Sequence, residues 1–76
     1  MSPEQVTQVL RAAGYVAFVV AVEGDTTTVQ VFDSRARRVL GNVHVGASIR
    51  VAMVRREHQE HVVSVLSEPA QVQVAS

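Results

Sequence analysis

The sequence contains no cysteine and no lysine among its 76 residues, and its aromatic side chains are one tyrosine and two phenylalanines. Without cysteine the chain has no disulfides, thiolate metal ligands or thiol nucleophiles, so packing alone must hold the fold. The same absence fits a reducing compartment, and we expect a cytoplasmic protein. The shortage of aromatic residues argues against an extended stacking surface for nucleic-acid bases.

Long apolar runs are also missing. The longest, residues 15–22, is too short to cross a bilayer, and Glu4 stands where a signal peptide would carry basic residues. We therefore expect no contact with membranes. The length allows a single hydrophobic core, so residues 1–76 are expected to form one small domain of marginal stability.

Residues 3–13 carry the signals of an amphipathic helix. Ser2, Pro3 and Gln5 supply an N-cap, a first-turn proline and the partner of a capping box. Gly14 suits the left-handed position that often ends a helix. The apolar side chains recur at helical spacing, at Val6, Val9, Leu10 and Ala13.

After Gly14 the hydrophobic period changes to two, which predicts a β-rich body over residues 15–67. Both faces of the first strand are apolar, so we expect it to be central, with Phe18 in the core. In the second strand, Val29 and Val31 should point inward and Thr28 and Gln30 outward. The predicted strands cover residues 15–22, 26–32, 35–40, 47–56 and 61–66, with a break at residues 41–46, a turn at 57–60 and a tail at 68–76. The tail is either an edge strand or a frayed terminus.

One N-terminal helix followed by about five antiparallel strands predicts a mainly β, α+β fold. Such strands can protect their edges by forming a small barrel or a strongly bent sheet. An open meander with the helix on one face is the alternative. In residues 46–66 a glycine precedes an alternating valine strand, and a polar turn leads into a second apolar segment. This pattern resembles the last two strands of OB-fold domains, which implies a small barrel, although the helix of that fold commonly follows the third strand.

No residue pattern indicates catalysis. The serines lack a glycine-flanked elbow, and the glycines are too scattered to form a phosphate-binding loop. His58 and His61 offer possible metal ligands, but two histidines across a predicted turn do not supply the four converging ligands of a zinc site. We expect a polar, solvated turn there, and neither enzyme activity, nor a metal, nor a cofactor.

Charge is the one uneven feature of the composition. The formal net charge is zero, yet residues 34–56 contain no acidic residue and carry most of the arginines. We expect these side chains to converge on one face and to bind a ligand, with nucleic acid as the first hypothesis. An acidic protein surface is the alternative partner, and pairing with nearby carboxylates would leave no site at all. The candidate residues are Arg35, Arg37, Arg38, Arg50, Arg55 and Arg56.

The small size also predicts self-association. Val62, Val72 and Val74 have no obvious inward partner in the predicted sheet. Joining two copies at the edge of the predicted C-terminal hairpin would bury these valines and pair exposed backbone groups. We therefore expect a homodimer. A module that adds a strand to the sheet edge of another protein is the alternative.

Overall fold

The computed structural model describes residues 1–35, 37–67 and 72–74. The elements are α1 (Pro3–Ala12), β1 (Val16–Glu23), β2 (Thr26–Asp33), β3 (Arg38–Val45), β4 (Ile49–Met53), α2 (Arg56–Ser67) and β5 (Val72–Val74). The sheet has the order β1-β2-β3-β4-β5, so neighbours in the chain are neighbours in the sheet. The first four strands are antiparallel, and β5 pairs in parallel with β4.

Both helices contribute to one core on the same side of the sheet. α1 contacts β1 and β2, α2 contacts β4 and β5, and the two helices touch each other. The fully buried side chains from the helices are Val6, Leu10, Val62 and Leu66, which pack against the inward valines of the strands. In the part of the chain that the structure describes, neither helix is long and apolar enough to span a bilayer.

The capping residues of α1 act as the sequence predicts. The backbone N–H of Ser2 donates to Gln5 Oε1 over 2.8 Å, and the Gln5 N–H donates to Ser2 Oγ over 3.2 Å. Gly14, with a φ of +99°, follows the helix in the left-handed conformation. The predicted helix is confirmed, with Ala13 as its C-terminal cap.

The predicted hairpin of the first two strands is confirmed, but its place in the sheet is not. Val29 and Val31 are buried on the helix side, as expected. However, among the strands that the structure describes, β1 lies at an edge of the sheet and pairs only with β2. Phe18 is 50% exposed rather than in the core. Two apolar faces do not make β1 central, because the position of a strand in the sheet depends on its pairing partners. Phe18 is exposed because both helices pack on the same side of the sheet and no described element covers the other side.

The break predicted at residues 41–46 is wrong, because β3 runs without interruption through Gly41. A Cβ atom at Gly41 would lie 2.2 Å from the carbonyl oxygen of Ala52 and 2.6 Å from Cα of Met53. This glycine therefore marks a close approach of two neighbouring strands rather than a turn.

The largest correction concerns residues 56–67, which form the helix α2 instead of a turn and a strand. Val62 and Leu66, four residues apart, are fully buried, while Ser64 between them is exposed. The predicted C-terminal hairpin therefore does not exist, and Val62 belongs to the core rather than to a dimer edge. The five antiparallel strands of the predicted fold are replaced by four antiparallel strands, which lie between α1 and α2 in the chain, and by the short parallel strand β5. The sheet is open, with β1 and β5 at opposite edges, so it is not a barrel.

Candidate functional site

The side of the sheet that faces away from both helices, here called the open face, presents polar and aromatic side chains. Directly paired residues on antiparallel strands point to the same side of a sheet. The register pairs Gln30 with Phe18 and with Asn42, and it pairs His44 with Thr28 and with Arg50. Residues on the open face therefore include Phe18, Thr28, Gln30, Phe32, Asn42, His44 and Arg50.

Two phenylalanines form the apolar end of the open face. The ring centroids of Phe18 and Phe32 are 5.9 Å apart, and the planes meet at 72°, which is an edge-to-face contact. The guanidinium of Arg11 lies 5.9 Å from the Phe18 ring centroid. A shallow cavity of about 290 Å³ adjoins this aromatic pair, and it is lined by Val16, Phe18, Phe32, Asp33, Ser34 and Arg37.

Arg37 reaches this cavity from an unfavourable backbone conformation. Its φ is +53°, which an L-amino acid other than glycine adopts at a cost of about 1 kcal/mol. The turn is held by Asp33, whose carbonyl oxygen accepts from the Arg37 N–H over 2.9 Å and whose Oδ1 accepts from the Arg35 N–H over 2.9 Å. Glycine would adopt this φ without strain, so the backbone conformation does not account for an arginine at position 37.

The polar end of the open face lies near the turn between β3 and β4. The side chains of Thr28 and His44 are joined by a hydrogen bond of 3.0 Å between Oγ1 and Nδ1, which fixes the imidazole on the sheet. Arg50 is paired directly with His44 across the strands and is exposed. A second shallow cavity of about 230 Å³ lies here, lined by Thr26, His44, Gly46, Ala47, Ser48 and Arg50. A cation and an imidazole thus stand at the far end of the face from Arg37.

The six candidate arginines do not converge on one face. Arg37 and Arg50 border the open face, whereas Arg38 and Arg55 line a cavity beside His58 on α2. Arg56 begins α2 and lies 3.8 Å from Glu60, with both side chains highly exposed. Arg35 lies in the turn after β2. The helix α2 causes this division, because it removes the strand on which Arg55 and Arg56 were expected.

The sequence contains a signal for one member of the aromatic pair, Phe32. Thr28 and Gln30 were predicted to point outward from the second strand. Phe32 follows them at the same two-residue period, so the alternation also placed its ring on the outward side. No such signal exists for Phe18, since both faces of its strand are apolar.

The predicted solvated turn around His58 and His61 is wrong, because both histidines belong to α2 and contact Tyr15. The Tyr15 hydroxyl is 2.5 Å from His61 Nδ1, and the ring of His58 meets the tyrosine edge-on at 6.4 Å. Burial, with a smaller contribution from the charge of Asp33, raises the pKa of Tyr15 above its usual value, so its hydroxyl stays neutral. The cluster ties α2 to the start of β1. Within residues 1–35, 37–67 and 72–74, no three histidine, aspartate or glutamate side chains are grouped to hold a metal ion.

In comparisons with known proteins, no protein-family model, no curated protein and no solved structure matches this chain. The function must therefore be inferred from the geometry and chemistry of the open face.

Proposed function

We propose that this protein is a non-catalytic module that binds single-stranded nucleic acid on the open face of its sheet. The observation that carries the proposal is the aromatic pair of Phe18 and Phe32, which lies on a sheet face that no described helix covers. Every nucleobase has a π-face, and stacking of a base on an aromatic side chain is worth about 1–3 kcal/mol. Bases in a duplex already stack on one another, so the partner is a single strand.

The charged and polar groups of the face suit the remainder of a nucleotide chain. Arg37 stands beside the aromatic pair and Arg50 at the other end, so each can neutralise one phosphate of a strand that crosses the sheet. Between them, Gln30 and Asn42 carry amide groups on neighbouring strands. The acidic residues, all of which lie outside residues 34–56, reduce the total charge. The paired strand positions that form the middle of this face are nevertheless uncharged or basic. The local field therefore favours a polyanion even though the net charge is zero.

The first test measures the contribution of stacking. Fluorescence anisotropy with labelled single-stranded RNA and DNA of about ten nucleotides should show binding at low salt, and a duplex should bind more weakly. Phe18→Ala and Phe18→Leu should each weaken binding by roughly tenfold to a hundredfold, because neither retains an aromatic ring. Phe18 is half exposed, so both variants should remain folded.

Val54→Ala is the matched control, because Val54 is 78% exposed and lines the cavity with Arg38 and His58 rather than the cavity beside the aromatic pair. It should bind as the wild type does. The proposal fails if the wild-type protein binds neither RNA nor DNA at low salt, or if Phe18→Ala binds both as tightly as the wild type. Equal binding of heparin and of a single strand, insensitive to Phe18, would indicate attraction by charge alone and would also contradict it.

A second expectation separates the binding role of Arg37 from its role in the fold. Arg37→Gly should leave the free energy of unfolding unchanged or slightly higher, because glycine adopts a φ of +53° without strain. Binding should weaken, and the slope of log K against log salt should fall in magnitude by about 0.7, the value for one phosphate contact on a single strand. Urea unfolding and salt titrations measure the two quantities.

Arg56→Gln removes the same charge at a site away from the open face, and it should not change the salt slope. If Arg37→Gly and Arg56→Gln have equal effects on binding, overall charge rather than a phosphate contact is responsible. A loss of stability in Arg37→Gly would show that the side chain serves the fold.

A further inference from the structure

The edge strand β1 carries the largest concentration of exposed apolar side chains in the described chain. Phe18, Val19, Val20 and Val22 are between 50% and 67% exposed. Within residues 1–35, 37–67 and 72–74, β1 pairs with β2 on one side only, so about half of its peptide N–H and C=O groups face away from the sheet. β1 has eight residues and is mostly apolar, which is the composition typical of a central strand, yet it lies at the edge of the sheet.

We propose that β1 pairs with β1 of a second copy of this chain, in antiparallel orientation, to form a homodimer with one continuous sheet. Pairing of identical strands is compatible with the two-fold symmetry of most dimers, since each strand presents the same surface to the other. Such pairing provides hydrogen-bond partners for the outward peptide groups of β1 and places a second apolar strand beside its exposed valines. The composition of β1 then matches its position, because β1 becomes central in the combined sheet.

Charge favours a second copy over an unrelated strand. Arg11 of α1 donates from Nη2 to the carbonyl oxygen of Ala17 over 3.0 Å, which fixes a guanidinium beside the first residues of β1. Glu23, an acidic and exposed residue, ends the same strand. Antiparallel pairing brings Glu23 of each copy alongside the Ala17–Phe18 segment of the other, and hence next to its Arg11. The proposed interface would therefore contain two equivalent ion pairs, each between Glu23 of one copy and Arg11 of the other.

This arrangement is independent of the proposed binding function but would extend it. The two-fold axis between antiparallel strands is perpendicular to the sheet, so both open faces lie on the same side of the dimer. Two aromatic pairs, each of Phe18 and Phe32, would then stand on either side of the new strand pairing. A single strand long enough to span both platforms would gain avidity from the linkage.

Sedimentation equilibrium in the absence of nucleic acid tests the dimer. The wild-type protein should dimerise with rising concentration. Val20→Lys should be monomeric, because the alignment that sets Glu23 beside Ala17 places residue 20 opposite its own symmetry mate, so the two lysines repel. Val22→Lys should be monomeric as well, because the same alignment places its charge against Phe18 of the other copy. Val74→Lys is the matched control. Val74 is an edge-strand valine with 49% exposure, close to the 51% of Val20, but it lies on β5 at the opposite edge.

Reversal of charge tests the identity of the partner. Glu23→Arg should weaken the dimer, and the double variant with Arg11→Glu should restore it, as expected only if the two residues meet across the interface. A wild-type protein that is monomeric at high concentration overturns the proposal, as does a dimer that survives Val22→Lys or is lost in Val74→Lys. Arg50→Ala should keep the dimeric mass while it loses affinity for nucleic acid, so failure of the binding function and failure of the dimer are separate results.

Discussion

Replacement of Gly41 by alanine is expected to leave the domain largely unfolded at room temperature. The new Cβ atom would lie 2.2 Å from the carbonyl oxygen of Ala52 and 2.6 Å from Cα of Met53, so the conflict is with the backbone of β4. Backbone cannot move aside by rotation of a side chain, so β3 and β4 must separate at the centre of the sheet. We expect a loss of more than about 3 kcal/mol, a large share of the stability of so small a domain.

Circular dichroism during urea unfolding measures this effect, and Gly46→Ala is the control. At Gly46 the nearest atom to a new Cβ is the Thr26 hydroxyl at 3.3 Å, which can rotate away. That variant should lose less than about 1 kcal/mol. If Gly41→Ala unfolds at the same urea concentration as Gly46→Ala, β3 and β4 do not approach as closely as described.

Removal of the Leu66 side chain is the second change with a large expected effect. Leu66 is fully buried on α2, in the cluster that joins both helices to the sheet. Leu66→Ala deletes buried methyl groups and leaves a cavity, which typically costs 2–5 kcal/mol. The same urea titration should show a midpoint well below that of the wild type.

Ser64→Ala shows whether this segment is a helix or a strand. In a strand Val62, Ser64 and Leu66 would share one face, whereas in the helix only Val62 and Leu66 do. Ser64 is exposed, so its replacement by alanine should change stability by less than about 0.5 kcal/mol. A destabilisation comparable to that of Leu66→Ala would place Ser64 in the core and contradict the helix.

The helix α1 could be predicted from sequence because its signals are local. Ser2 and Gln5 cap each other, and neither contact depends on the rest of the fold. Residues 56–67 lack such signals, and their apolar residues fit a period of two as well as four. The predicted turn at residues 57–60, however, contains no glycine, proline, asparagine or aspartate, and this absence favours a continuous helix.

The site was only partly predictable for a related reason. The sequence identified Arg37 and Arg50 among six candidates, because charge patterning is visible without a fold. It could not show which arginines share a surface, since that depends on which side of the sheet α2 covers. For the same reason the sequence could not show which face of β1 is covered, and the prediction that Phe18 lies in the core is wrong. Which strands flank a strand with two apolar faces, and which of its faces a helix covers, are properties of the tertiary structure.

The parallel pairing of β5 makes the two edges of the sheet differ in how they form. The three hairpins of the meander close short loops, whereas β4 and β5 are separated by the whole of α2. Loop closure costs more entropy as the loop lengthens, and within the described residues β5 adds three residue pairs to offset it. Folding therefore favours the meander first and β5 last, after Val62 and Leu66 have docked α2. We therefore expect β5 to detach and return more readily than the other strands in the native state.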